Sequence, residues 1–243
     1  MSLPTLRLDH ARALLRQAGI ALPEPGAGAG AGAAELQAII DALCELSERD
    51  PLTGLPNRRA FMARLAQELD RSSRSGEVAL LLVLDIDHFK AVNDRHGHLA
   101  GDAVIRAVAD TLQSHIRPMD TVGRLGGEEF GVVFPNCGPG SGAQLAERLG
   151  AAVEAAHVPL PDGVTVLRVT VSGGGAYAPA WARSSIEHWM ERADRQLYEA
   201  KRQGRNRVLI EPVAHSEVSA EEKELLFAWP DADGLIIDPA DAI

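Results

Sequence analysis

One stretch constrains this chain more than any other: seven aliphatic residues, Val78–Leu84, run without a break into Asp85-Ile86-Asp87. Seven apolar residues fall far short of the ~20 needed to cross a bilayer. A short Val/Leu run of this kind predicts a buried strand over Val78–Ile86. Carboxylates at the carboxyl end of such a strand are costly unless they are paired or hold a metal. Alternation puts Asp85 and Asp87 on one face, about 7 Å apart along the strand. Capping of the following loop is the plain alternative for both acids.

The rest of the 243 residues suit a packed core around that strand, with 46% hydrophobic and 24% charged residues. Met1–Leu8 has no basic stretch leading into an apolar run, so no secretory signal is visible. Cys44 and Cys137 lie far apart and near no histidine cluster, which fits neither a disulfide framework nor a metal spacing. A reduced, soluble, cytoplasmic protein without a membrane span is expected. The net charge of −10 is concentrated in Glu211–Ile243, which holds nine acids and one base. The preceding 210 residues carry 25 acids against 23 bases. A nucleic-acid polymer is therefore not an expected partner, since duplex binding needs a basic footprint. A small phosphorylated ligand needs only a few local charges.

Four segments separate by composition. Met1–Ala34 contains a short amphipathic helix, Pro4–Gly19, and a Gly/Ala linker, Gly19–Ala34. The linker glycines alternate with alanine and follow no strand, so they do not form a dinucleotide-binding loop. Glu35–Arg49 reads as a connecting helix, with Leu36, Ile39, Ile40, Leu43 and Leu46 three and four apart. That stripe suits a two-helix seam or packing on the adjacent domain. Asp50–Ile210 is the main domain and Glu211–Ile243 an acidic tail holding one apolar patch, Leu225–Pro230.

Within the main domain, helices are expected at Arg58–Ser72, Leu99–Ile116, Ser141–Ala156 and Ser184–Gln203. Strands are expected at Val78–Ile86, Thr121–Leu125, Phe130–Phe134, Val164–Tyr177 and Val208–Ile210. From the first strand onward the order is β-α-β-β-α-β-α-β, mixing parallel crossovers with hairpins. That is an α+β sandwich with a central sheet covered by helices.

The hairpin turn is Gly126-Gly127-Glu128-Glu129. Two glycines let backbone approach a ligand closely and take positive φ. Alone, the turn reads as a solvated loop. With Asp85 it offers carboxylates from two elements, the hard-oxygen set that Mg²⁺ bridging to phosphate prefers. His96 and His98 form an H-x-H pair, but no further zinc ligand is in view.

These residues carry a resemblance. Gly126-Gly-Glu-Glu-Phe130 resembles the signature of the GGDEF family, the diguanylate cyclases, in its GGEEF form. Asp50-Pro-Leu-Thr-Gly-Leu-Pro-Asn-Arg-Arg59 resembles the family's opening turn. Asp85–Asp102 resembles its metal and guanine segment, and Ala193–Asn206 its closing helix. The likeness spans about 160 residues in four ordered motifs.

The resemblance implies a nucleotidyl-cyclase, palm-like domain whose central sheet is mostly antiparallel. It implies condensation of two GTP into cyclic di-GMP with release of two pyrophosphates, in a symmetric homodimer. The metal would be Mg²⁺, with Mn²⁺ as a substitute, on Asp85, the Ile86 carbonyl, Glu128 and Glu129. Glu128 would take the proton of the attacking 3′-hydroxyl. Asn93 and Asp102 would bond the guanine edge, where an acceptor-only carboxylate suits the ring N–H and exocyclic amine. His98 would lie beside the base or serve structure. Lys90, Lys201 and Arg205 would meet phosphates. Arg117-Pro-Met-Asp120 stands where many such cyclases carry an R-x-x-D product-inhibition site; a surface salt bridge is its ordinary reading. A silent module that only binds cyclic di-GMP, an interaction protein working through its tail, and a cyclase for adenine-containing dinucleotides are the competing readings. The N-terminal segment and the tail are candidate partner-binding regions.

Overall fold

The computed structural model describes residues 8–19, 31–178 and 185–212. The apolar patch of the tail, nearly all of the acidic segment, and most of the Gly/Ala linker lie outside the described residues. The elements are α1 (Asp9–Gln17), α2 (Ala31–Glu48), α3 (Arg58–Ser75), β1 (Ala79–Ile86), α4 (Phe89–His96), α5 (His98–Ser114), β2 (Thr121–Gly126), β3 (Glu129–Phe134), α6 (Pro139–Ala155), β4 (Val158–Pro159), β5 (Val166–Leu167), β6 (Val171–Ala178), α7 (Ile186–Arg202) and β7 (Val208–Ile210).

Every residue of β1 is buried because the strand is covered on both faces and bonded on both edges. Five strands run in the order β2-β3-β1-β6-β7. β1 is antiparallel to β3 and β6, β2 is antiparallel to β3, and β6 pairs with β7 in parallel. The α+β sandwich with a mostly antiparallel sheet is thus present, with one parallel pair.

Alternation along β1 divides the core. Leu80, Leu82, Leu84 and Ile86 pack with Phe130, Val132 and Phe134 under Val104, Val108 and Leu112 of α5 and Leu145, Leu149 and Val153 of α6. Ala79, Leu81 and Val83 pack under Phe61 and Leu65 of α3 and Trp189, Ala193 and Leu197 of α7. Trp189 is fully buried, and its indole N–H donates to the Ala176 carbonyl at 2.8 Å, so its polar atom is satisfied. Asn57 caps α3, its side-chain oxygen accepting from Ala60 N–H at 3.1 Å, and Ser185 caps α7 through His188 N–H at 3.2 Å.

Three expectations need correction. The single strand expected over Val164–Tyr177 is two strands. β5 pairs with β4 in a separate two-stranded sheet, around a turn where Asp162 accepts from Val164 and Thr165 N–H. β6 begins only at Val171. The segment after Asp87 holds a helix, α4, that the apolar periodicity hid because only Phe89 on it is buried. The connecting helix begins at Ala31, four residues inside the stretch read as linker. In the N-terminal segment Leu15 of α1 packs with Ile39 and Ala42 of α2, with Leu43 against them, while Leu14, Ile40 and Leu46 stay exposed.

α7 lies directly on β6, where Gly173-Gly174-Gly175 leaves room. A Cβ on Gly174 would come within 2.1 Å of the Ala193 carbonyl oxygen and the Leu197 nitrogen, both backbone atoms. Gly174→Ala is therefore expected to cost about 3 kcal/mol, the upper end for overpacking. Thermal melting should show it as a fall of about 6–12 °C.

Candidate active site

The site is assembled where β1 leaves the sheet. Asp85 is cross-strand partner to Glu129 of β3 on one side and Ser172 of β6 on the other. Ile86 donates its N–H to the Glu128 carbonyl at 3.3 Å, so the hairpin tip is bonded to the end of β1. Asp87 donates its N–H to the Thr170 carbonyl at 2.9 Å on the β6 side. In a trans peptide the C=O points opposite to that N–H, so the Ile86 carbonyl is directed toward the hairpin. Gly126 and Gly127 make the tip with φ of 147° and 51°, conformations that side chains strongly resist.

Charge at this point is unbalanced. Asp85 meets Lys201 of α7, Nζ to Oδ2 at 2.8 Å. Glu129 titrates above its ordinary value because packing strips water from the carboxyl and because Asp85, Asp194 and Glu128 surround it with like charge; Lys201 opposes this. Asp194 is itself raised by burial, against the pull of Arg58. Among the described residues, no three His, Cys, Asp or Glu side chains are gathered tightly enough to hold a metal ion. Asp85 and Glu129 stand opposite each other with Lys201 on Asp85, and Glu128 meets the end of β1 through its backbone carbonyl on the Ile86 N–H.

The other expected site residues lie on α4, on α5 and in the turns after α5 and α7. Asn93 of α4 lies against α5, where a Cβ on Gly101 would fall 2.1 Å from its Oδ1, and Asp102 follows Gly101. Lys90 on α4, His98 at the start of α5 and Arg205 after α7 carry exposed side chains that make no ion pair with these acids among the described residues. Arg117 and Asp120 sit in the turn between α5 and β2. Arg117 is exposed; Asp120 is buried, its carboxylate accepting from Arg117 N–H at 2.8 Å. Burial raises the Asp120 pKa, opposed by that bond and by the charges of Arg117 and Arg148.

Residues 47–207 match the sequence profile described as "Diguanylate cyclase, GGDEF domain". The chain belongs to this family. The GGDEF domain is 48% identical over 162 residues to the diguanylate cyclase DgcP of Pseudomonas aeruginosa, covering 66% of this chain and 23% of that protein. Its fold is similar to the GGDEF domain of DgcB from Caulobacter crescentus, solved in complex with c-di-GMP, with TM-score 0.64 and 38% identity over 68% of this chain and 93% of that one. Similar too is the diguanylate cyclase SiaD of Pseudomonas aeruginosa, solved with its activator SiaC, with TM-score 0.67 and 35% identity over 84% of this chain and 74% of that one. The chain spans less than half the length of the curated relatives it matches.

Inside the GGDEF domain, one functional contact was not legible in advance. Arg124 donates from Nε and Nη2 to the Gly127 carbonyl at 3.0 and 2.8 Å, and from Nη1 to both Asp50 oxygens at 3.0 and 3.1 Å. The hairpin tip is thereby clasped to the opening turn that ends the α2 connection. The available signal was an arginine two residues before the glycine pair, with an isolated acid opening the first motif. Asp87 also differs from expectation: it does not join Asp85 but is enclosed by Thr170, Ser172 and Asn206.

Partial burial works to raise the Asp50 pKa. Hydrogen bonds from Thr53 and Arg124, with the Arg124 charge, outweigh it and hold the carboxyl below its ordinary range. A depressed carboxylate stabilises the fold above its unfolded pKa, and the effect fades as pH falls through the folded one. Arg124→Gln should therefore lose about 2 kcal/mol at pH 7. The loss should shrink below about pH 4, near the unfolded pKa of an aspartate. Urea unfolding at pH 7 and pH 3 checks both.

Proposed function

We propose that the chain is a diguanylate cyclase that condenses two GTP into cyclic di-GMP and two pyrophosphates. The observation that carries the reading is the meeting of Asp85 and Glu129 as cross-strand partners, with Glu128 bonded through its carbonyl to Ile86. Two sides of one exit point thus present hard oxygen donors under uncompensated negative charge.

That donor set fits Mg²⁺, with Mn²⁺ able to replace it: Asp85, the Ile86 carbonyl, Glu128 and Glu129 are all oxygen ligands, and Asp85 and Glu129 face each other across the strand pair with like charge that a cation relieves. When bound, the ion supplies Lewis acidity toward the phosphates. The chain's own residues do the rest. Lys201 and Arg205 bring positive charge to the phosphate side, with Lys90 reaching it from α4. Asn93 and Asp102 orient guanine at the α4–α5 junction, with His98 beside them. Glu128 takes the proton of the attacking 3′-hydroxyl, and the glycine tip lets its backbone approach the nucleotide. Holding the nucleophile in line supplies much of the rate.

One domain holds one GTP, so two must face each other with twofold symmetry. Leu14, Ile40 and Leu46 are exposed apolar side chains of the N-terminal segment, through which two such segments associate. Arg117 and Asp120 form the product-inhibition site, which limits accumulation of cyclic di-GMP.

The test is incubation of the purified protein, freed of bound nucleotide, with GTP and Mg²⁺, followed by nucleotide separation. Wild type is expected to form cyclic di-GMP at a rate per subunit that rises with protein concentration. Glu128→Ala should lose at least about a hundredfold, the lower range for a positioned acid–base group. A folded wild type that yields no product at high concentration contradicts the reading.

A further inference from the structure

Asp87 is 5% exposed, and its two oxygens accept three hydrogen bonds. Thr170 hydroxyl donates to Oδ2 at 2.7 Å, Asn206 N–H to Oδ2 at 3.0 Å, and Ser172 hydroxyl to Oδ1 at 2.6 Å. Its oxygens are thus taken up by neutral donors, and among the described residues no ion pair reaches them. The donors come from the start of β6 and from the turn after α7, while Asp87 itself follows the Asp85-Ile86 end of β1.

The turn after α7 is unusual. Gly204, Arg205 and Asn206 all have positive φ, at 108°, 63° and 48°. For the two non-glycine residues this is a conformation that a Cβ resists, so the surroundings must hold it. Four bonds do so: Arg205 N–H to the Ala200 carbonyl at 3.1 Å, Arg207 Nε to the Arg205 carbonyl at 3.1 Å, Asn206 Nδ2 to Glu154 of α6 at 3.0 Å, and Asn206 N–H to Asp87. Of these, the bond to Asp87 joins the turn directly to the strand that carries Asp85. Lys201, one turn earlier on α7, already reaches Asp85.

We propose that Asp87 is a positioning residue for the nucleotide's phosphates: its carboxylate locks the left-handed turn 204–206 to the end of β1, and so sets the direction from which Lys201 and Arg205 approach a nucleotide held at Asp85. The inference rests on the cyclase reading and deepens it. What the carboxylate contributes is acceptor geometry. Asparagine can reproduce it, since its carbonyl oxygen replaces Oδ2 and its amide faces Ser172, whose hydroxyl turns to accept. Alanine cannot.

The full chain is compared as wild type, Asp87→Asn and Asp87→Ala, measuring kcat and KM for GTP, thermal melting, and hydrogen exchange of the amides at 204–207. Asp87→Ala is expected to raise KM between ten- and a hundredfold, as a displaced binding group does, with faster exchange at Arg205 and Asn206. Asp87→Asn should stay within about threefold of wild type, since its shape and acceptor are retained. If Asp87→Ala does not fold, Thr170→Val removes one donor at nearly constant volume, and its KM should still rise at least threefold. A purely structural Asp87 would lower the melting temperature and leave KM unchanged, which overturns the proposal. So does Asp87→Asn as impaired as Asp87→Ala, because that would make the charge itself the working part. A wild type that forms no cyclic di-GMP removes the cyclase reading and this inference together; an active wild type with unchanged KM in a folded Asp87→Ala removes the inference alone.

Discussion

Burial of β1 on both faces and both edges is the constraint from which the rest of the molecule follows. A strand bonded to β3 and β6, and roofed by helices on each side, tolerates no charge along its length. Its acids are therefore confined to the exit, and whatever surrounds the exit must answer them. β3 arrives there with Glu129, β6 with Ser172, and α7 with Lys201. The close seating of α7 on the glycines of β6 sets the depth at which that helix lies.

The acids at this exit divide into two kinds. Asp87 is engaged by neutral donors, so it acts through the turn those donors hold. Asp85 pairs with the Lys201 ammonium, and Glu129 titrates above its ordinary value through burial first and the like charges around it second. The Arg124 clasp adds a second constraint. By holding the Gly127 carbonyl and the Asp50 carboxylate together it ties the hairpin tip to the end of the N-terminal connection.

Much of the fold was legible because its determinants are local. The β1 run, the Gly-Gly turn and the apolar stripes of α5, α6 and α7 each state their element within a short window. α4 was not legible, since only Phe89 of it is buried and no stripe forms. Nor was the break before β6, because Val164–Leu167 is as β-prone as Val171–Ala178 and only the partner strand β4 distinguishes them. At the site, the acids of the hairpin and of β1 announced themselves by type and place. Arg124 with Asp50, 74 residues apart, and Asp87 with Asn206, 119 apart, are pairings that only the folded chain brings together. A resemblance to a family names the residues that touch ligand more readily than those that hold them in place.

The central claim is that the exit of β1 and the glutamate hairpin form one metal-dependent nucleotide site. Calorimetric titration of Mn²⁺, as a stand-in for Mg²⁺, tests it most directly. The chain is first loaded with a GTP analogue whose α- and β-phosphates are bridged by methylene, and wild type is compared with Asp85→Ala. The account predicts binding at least tenfold weaker in the folded variant, the low end of what loss of a ligand's support removes. Equal Mn²⁺ affinity in the two proteins would contradict it and place the metal, if one is used, elsewhere.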